Sequence, residues 1–181
     1  MSEEKTVARI PFHWAVSILV ALVMPLAFIL GKFNFTLWVC FIGWAHYFLY
    51  GGTPAAFKTT IPCFLYGTVM SVLWMLLTVA VAPFMPEPYP VMWAAILTNL
   101  IAVTLMVWGL KFANFGPGVV CVFGGFTMLL AVYFTGSMPK VGPMANPYYV
   151  VIWAGLWTVI MGYIGHVFGW LNVVLSFPKK A

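Results

Sequence analysis

Charged residues are almost absent from this chain, and their scarcity constrains its fold more than any motif does. Of 181 residues, eight are Lys or Arg and three are Glu, and there is no Asp. Between them lie six apolar stretches, each long enough to cross a ~30 Å hydrocarbon core as a helix of about 20 residues. A soluble domain carries charge on about a quarter of its residues. The sequence therefore predicts an all-α integral membrane protein with no soluble domain.

The six apolar stretches predict a compact bundle of transmembrane helices, which forms a single domain over residues 1–181. Gly- and Pro-rich breaks separate the stretches and set their approximate ends. The predicted spans are 11–31, 33–50, 58–84, 89–110, 116–136 and 147–176. The first run is too long for the core of a cleaved signal peptide and lacks a cleavage site, so we expect it to be a retained span.

The few basic residues are distributed unequally between the two sides that six spans create. With the N-terminus inside, the inner segments hold six of them: Lys5, Arg9, Lys58, Lys111, Lys179 and Lys180. The outer loops hold Lys32 and Lys140, together with Glu87. Because cytoplasmic loops of membrane proteins collect Lys and Arg, this distribution predicts that both termini are cytoplasmic. We expect the chain to lie in the bacterial inner (cytoplasmic) membrane.

A short internal echo suggests how the six spans are related. Tyr47-Phe48 is followed by Gly51 at the end of the second span, and Tyr133-Phe134 is followed by Gly136 at the end of the fifth. The two spans run in opposite directions across the membrane. The echo is thus compatible with a three-plus-three inverted repeat, an arrangement found in many transporters.

The sixth span has the clearest pattern of small residues. Seven residues recur at intervals of three and four and so share one helical face: Gly155, Thr158, Gly162, Gly165, Gly169, Asn172 and Ser176. Membrane helices pack closely where small residues let their backbones approach. This face is interpreted either as a helix-packing face, within or between subunits, or as the wall of a pore.

Four polar residues at membrane depth are candidates to contact a solute: His46, Asn99, Thr127 and His166. Ionisable groups inside a bilayer are costly and usually functional. A histidine can form a constriction or sense pH, because its unperturbed pKa is about 6.5. The alternative for each histidine is a neutral imidazole that is hydrogen-bonded to a neighbour. Asn99 either bonds across helices or lines a path.

Several chemistries find no support in the sequence. The predicted spans hold no carboxylate, and the chain lacks a Ser-His-Asp set, an HExxH motif and a phosphate-binding glycine loop. Cys40, Cys63 and Cys121 have no metal-ligand or disulfide spacing. The basic residues are scattered, which argues against nucleic acid as a partner. We expect no enzymatic activity, no cofactor and no bound metal.

Glycine and aromatic residues form a pattern along the chain. Its members are Trp38, Gly43, Tyr47-Phe48, Gly51-Gly52, Lys58, Gly67 and Trp74, then Phe115-Gly116-Pro117-Gly118 and Gly162-Tyr163. These motifs resemble the YcdZ-like uncharacterised bacterial inner-membrane family, a domain-of-unknown-function family. The resemblance implies a small polytopic inner-membrane protein. It implies no particular activity and no catalytic residues.

The lack of extramembrane mass and the few neutral polar groups favour a small-solute channel or transporter. The expected cargo is a small neutral molecule or a small anion, because selectivity would depend on pore width and hydrogen-bonding groups. We expect contacts with membrane lipid and a homo-oligomer. The alternative is a non-catalytic membrane anchor or scaffold for a partner protein. A membrane enzyme acting on a lipid or quinone is a third hypothesis, for which the sequence offers no cofactor ligands.

Overall fold

The computed structural model of this chain describes residues 9–29, 36–111 and 115–177, without the side chains of residues 26 and 27. Within these ranges the chain forms six α-helices and no β-strand, which confirms the all-α prediction. The helices are α1 (Phe12–Ile29), α2 (Leu37–Leu49), α3 (Phe57–Val81), α4 (Pro90–Gly109), α5 (Val119–Thr135) and α6 (Pro147–Ser176). Short 3₁₀ turns flank α3 on both sides and precede α5.

The helix lengths bear on the prediction of six membrane spans. In the described part of the chain, four helical segments are long and apolar enough to cross a membrane: Pro54–Phe84, Pro90–Gly109, Gly116–Thr135 and Pro147–Ser176. The apolar stretches of α1 and α2 are shorter. Residues 30–31 and 33–35 of the predicted first and second spans lie outside the described residues.

Local signals explain where several helices begin and end. Pro90 and Pro147 open α4 and α6, at a position where the missing N–H costs nothing. The Asn146 side chain caps α6 by accepting from the backbone N–H groups of Tyr148 (3.0 Å) and Tyr149 (3.3 Å). Gly136 ends α5 with a φ of 63°, the left-handed conformation that favours glycine.

Contacts between helix ends show that successive helices alternate in direction. The Arg9 N–H, just before α1, donates to the Ser176 carbonyl at the end of α6 (2.9 Å). The Thr36 hydroxyl, just before α2, donates to the Ser137 carbonyl just after α5 (3.0 Å). We call the bundle end at which Arg9 and Ser176 meet the terminal end, and the opposite one the distal end. The two ends of the described chain therefore lie on the same side of the bundle.

The pair α3 and α4 follows the same rule. Tyr66, in the first half of α3, donates its hydroxyl to the Met106 carbonyl near the end of α4 (3.1 Å). Trp74, farther along α3, donates its indole N–H to the Ala95 carbonyl near the start of α4 (3.4 Å). These two helices are therefore antiparallel, and α4 packs chiefly against α3.

The bundle buries polar side chains and exposes apolar ones. The buried polar residues of the described chain are Thr36, His46, Thr60, Thr68, Ser71, Thr98, Thr158, His166, Asn172 and Ser176. Large apolar side chains face outward, including Leu22 (65% exposed), Phe28 (82%) and Leu100 (70%). Soluble proteins do not expose contiguous apolar surface on this scale. The apolar helices suggest a membrane location.

Two glycine contacts hold α2 against α6. A Cβ added to Gly43 would collide with the carbonyl oxygen of Gly162, and one added to Gly165 would collide with that of Cys40. The backbones of the two helices therefore touch, which only glycine permits at these positions.

The pair α3 and α5 is held in the same way. A Cβ added to Gly125 would collide with the carbonyl oxygen of Phe64, and one added to Gly67 would collide with that of Val122. The helix pairs α2–α6 and α3–α5 form the two most extensive helix contacts of the described bundle. Close glycine packing therefore defines its centre.

Candidate functional site

His46 of α2 and His166 of α6 meet at the centre of the bundle. Their ring centroids are 6.3 Å apart, and His46 is 6% exposed while His166 is fully buried. The Phe64 ring of α3 packs against both, at centroid distances of 6.0 Å and 5.8 Å respectively. The contact between α2 and α6 thus brings together two histidines that are far apart in the sequence.

A hydrogen bond within α6 shows which ring nitrogen of His166 is the donor. The Nδ1 atom lies 2.7 Å from the Gly162 carbonyl oxygen of the preceding helical turn. A carbonyl oxygen only accepts hydrogen bonds, so Nδ1–H is the donor, and in the neutral imidazole Nε2 then carries the lone pair. Nε2 is buried, and no described residue offers it a hydrogen bond. The ring therefore keeps one acceptor available to a further partner.

His46 also keeps an available ring nitrogen. Its Nδ1 atom is buried and has no hydrogen-bond partner within the described ranges. Buried polar atoms are normally hydrogen-bonded, so two such nitrogens in neighbouring rings need an explanation. One explanation is that they contact a solute or water that passes through the bundle.

Glycines on α5 and α2 make room for these rings. A Cβ added to Gly124 of α5 would collide with the His46 ring, and one added to Gly43 would lie 3.2 Å from Nδ1 of His166. The predicted site did not include Gly124. Its position could not be inferred from the sequence, because nothing local to α5 indicates that a side chain of α2 fills the space beside it.

Other buried side chains of the central helices also have unpaired polar atoms. Within the described chain these are Trp44 and Tyr47 on α2, Thr60 and Ser71 on α3, and Asn172 and Ser176 on α6. All six are less than a tenth exposed. The histidine pair is therefore one part of a polar interior that runs along α2, α3 and α6.

The predicted small-residue face of α6 is buried inside the chain. Among its members, Gly155 faces the side chain of Val72 in α3, and Thr158 is fully buried. Gly162, Gly165 and Gly169 contact α2 and α3 as they pass the centre of the bundle. The structure thus places this face against neighbouring helices of the same chain.

Asn99 and Thr127 are not brought together with the histidines. Asn99 lies on α4, which packs chiefly against α3, and its half-buried side chain has an unpaired Oδ1 atom within the described structure. Thr127 is exposed on α5, and its hydroxyl donates to the Phe123 carbonyl of its own helix (2.9 Å). Of the four predicted solute-contact residues, only His46 and His166 therefore form one site.

The chemistry available at the centre is hydrogen bonding by neutral groups. In the described ranges, no three residues among His, Cys, Asp and Glu lie close enough together to hold a metal ion. Two imidazoles, hydroxyls and an amide can accept from and donate to an uncharged solute or a small anion. The Phe64 and Tyr163 rings pack against His166, at centroid distances of 5.8 Å and 6.2 Å.

The fold and the site define a class of protein: a bundle of apolar helices with a polar centre that contains two histidines. A model of the family described as "Protein of unknown function (DUF1097)" matches residues 15–172. The chain belongs to this family. The match includes both histidines and all of α2 to α5. No curated protein and no solved structure matches the chain.

Proposed function

We propose that this protein is a small-solute channel or transporter of the bacterial inner membrane. The observation that carries the proposal is the His46–His166 pair, buried among four helices with an available nitrogen on each ring. Burying such groups in an apolar bundle costs free energy, and membrane proteins usually bear that cost where solutes or protons pass. The cargo is a small neutral molecule or a small anion, since the central residues offer hydrogen bonds and no carboxylate.

The proposed transporter consists of two inverted halves, α1–α3 and α4–α6. Two glycine contacts support this arrangement. Gly43 lies against the carbonyl of Gly162, and Gly125 lies against that of Phe64. Replacing α2 by α5 and α6 by α3 converts the first contact into the second.

The second pair of contacts has the same relation. Gly165 against the Cys40 carbonyl becomes Gly67 against the Val122 carbonyl, with identical spacings along the chain. The hydrogen bond from Thr68 to the Phe64 carbonyl (2.9 Å) is likewise the counterpart of the one from His166 to Gly162. The echo of Tyr47-Phe48 in Tyr133-Phe134 implies an offset between α2 and α5 that differs from this one by about one helical turn.

We further propose that all six helices span the membrane and that both termini are cytoplasmic. The contact between Arg9 and Ser176 supports termini on a common side. Among the described residues, Arg9, Lys58 and Lys111 lie toward that side, while Glu87 and Lys140 lie toward the other. The excess of basic residues favours the terminal end as the cytoplasmic one.

The remaining properties of the proposed protein follow from the same picture. It resembles the YcdZ-like inner-membrane family, contacts lipid, forms a homo-oligomer and has no catalytic activity of its own. The anchor or scaffold alternative needs a free surface on which a partner protein can dock, such as the glycine face of α6. Since α2 and α3 of the same chain occupy that face, we favour the conduit.

Flux into proteoliposomes tests the proposal. Purified protein is reconstituted and assayed with neutral solutes (urea, glycerol, acetamide) and anions (formate, acetate, nitrate). We expect rapid flux of at least one of them, strongly reduced by His46→Phe. His13→Phe is the matched control, because His13 lies exposed near the start of α1. Folded protein that passes none of these solutes would contradict the proposal.

A further inference from the structure

A cavity opens at the terminal end of the bundle, away from the histidine pair. Its volume is about 560 Å³, and its lining includes Arg9, Tyr47, Pro54, Trp170, Val173 and Phe177. A neighbouring recess of about 400 Å³ shares Val173 and Phe177 with it. Spaces of this size are typical of small-molecule sites.

Arg9 gives this cavity its electrostatic character. Among the described residues that line the cavity, Arg9 carries the one charged side chain, and the other side chains are mostly apolar. Lys58 and Lys111 lie toward the same end of the bundle, whereas Glu87, the single acidic residue within the described ranges, is in the loop at the distal end. The field of these described charges therefore favours a negatively charged ligand at the terminal end.

Unpaired polar groups lie in and beside the wall of the cavity. Tyr47 lines it, is fully buried, and its hydroxyl has no hydrogen-bond partner among the described residues. Asn172 and Ser176 precede the lining residues Val173 and Phe177 on α6, and their side-chain polar atoms are also buried and unpaired there. Hydroxyl and amide groups can donate hydrogen bonds to the oxygens of an anion.

The residues at the counterpart positions in the other half of the bundle are apolar. The spacing that relates Gly43 to Gly125 makes Leu129 the counterpart of Tyr47, and Met75 is likewise the counterpart of Val173. Leu129 and Met75 pack together with Val151 in a buried apolar cluster at the distal end. The Tyr47 hydroxyl that lines the cavity therefore has no polar counterpart at Leu129.

We infer that this cavity binds a small organic carboxylate, with the Arg9 guanidinium on the carboxylate and Trp170, Val173 and Phe177 around the apolar body. As an entry site for a transported solute, the cavity rests on the proposed function. Binding of a carboxylate to the cavity can be measured whether or not the protein transports it. Arginine suits the role because its guanidinium can donate two parallel hydrogen bonds to one carboxylate.

Benzoate and benzamide are a matched pair of probes, since they differ mainly in charge. Binding of each to full-length protein in nanodiscs is measured by isothermal titration calorimetry. We expect benzoate to bind, and benzamide to bind at least about tenfold more weakly, because it lacks the charge-assisted hydrogen bonds. Equal affinities for the two compounds, or no binding of benzoate, would overturn the inference.

Three variants locate the site. Arg9→Gln should weaken benzoate binding about tenfold or more, and Arg9→Lys should retain part of it, because a lysine keeps the charge and loses the two-pronged geometry. Lys140→Gln is the control, since it removes one positive charge at the distal end; it should leave affinity unchanged. The inference fails if Arg9→Gln and Lys140→Gln bind benzoate equally well.

Flux and binding together separate the two proposals. Benzoate binding that depends on Arg9 in a protein without flux would contradict the conduit and support the site. Flux without Arg9-dependent binding would contradict the site and leave the conduit standing.

Discussion

Gly165 is a position at which the packing tolerates almost no change. A methyl group there would collide with the carbonyl oxygen, carbonyl carbon and Cα of Cys40, all of which belong to the backbone. We expect Gly165→Ala to lower the free energy of unfolding by about 1–3 kcal/mol, the usual cost of overpacking. Gly116→Ala is the control, because nothing lies within 4 Å of the added atom. Thermal unfolding in detergent measures both; equal midpoints would refute the close contact.

At the same scale, the sequence identifies candidate site residues more readily than the residues that they contact. His46 and His166 are conspicuous as ionisable groups in apolar helices, so both could be proposed as site residues. Their contact could not, because it depends on how α2 and α6 pack. Thr127 shows the converse: its polarity suggests a site, but its hydroxyl donates to the Phe123 carbonyl of its own helix.

At the scale of the helix, α3 and α4 are joined by a pair of hydroxyl groups. The Oγ1 atoms of Thr78 and Thr98 are 2.7 Å apart, and each also lies within hydrogen-bond distance of a carbonyl oxygen in its own helix; because a hydroxyl carries one proton, one threonine donates to the other, which donates to its own carbonyl. A double-mutant cycle with Thr78→Val and Thr98→Val should give a coupling of about 0.6 kcal/mol, the average for hydrogen bonds between membrane helices. Unfolding in bicelles measures it, and strictly additive effects would show that the pair contributes nothing.

Helix positions follow from the sequence more readily than helix partners do. The apolar run and its flanking prolines indicate α6 over Pro147–Ser176, and the regular spacing of its glycines indicates a closely packed face. Which helices lie against that face is decided by complementary surfaces on α2 and α3, such as the carbonyl of Cys40 and the ring of Phe64. Such surfaces leave no periodic signal in a single sequence.

At the scale of the whole molecule, alternating helices make a simple prediction about topology. A reporter fused after Ala181 should be active in the cytoplasm, and one inserted next to Lys140 should be active in the periplasm, because an even number of proposed spans separates the two termini. Activity of the Ala181 fusion on the periplasmic side alone would contradict the orientation. A fusion next to Lys111 provides an internal control, since it should behave like the one at Ala181.

The two ends of the bundle should also be coupled. If inverted halves exchange conformations, loosening the apolar cluster at the distal end favours the state in which the terminal cavity is closed. We therefore expect Leu129→Ser to weaken benzoate binding, although Leu129 does not line the cavity. Leu100→Ser, on the exposed face of α4, is the control for a general loss of stability. Unchanged benzoate affinity in a folded Leu129→Ser protein would argue against coupled ends.

The composition of the distal cluster has one more consequence. Met75, Leu129 and Val151 adhere through apolar contact, and none of the three is charged. If this cluster closes the distal end of the proposed conduit, it has no ion pair for dissolved salt to screen, so its opening should be nearly independent of ionic strength. The free energy needed to separate these three side chains should instead depend on their volume, so that adding or removing a single methylene group would change it.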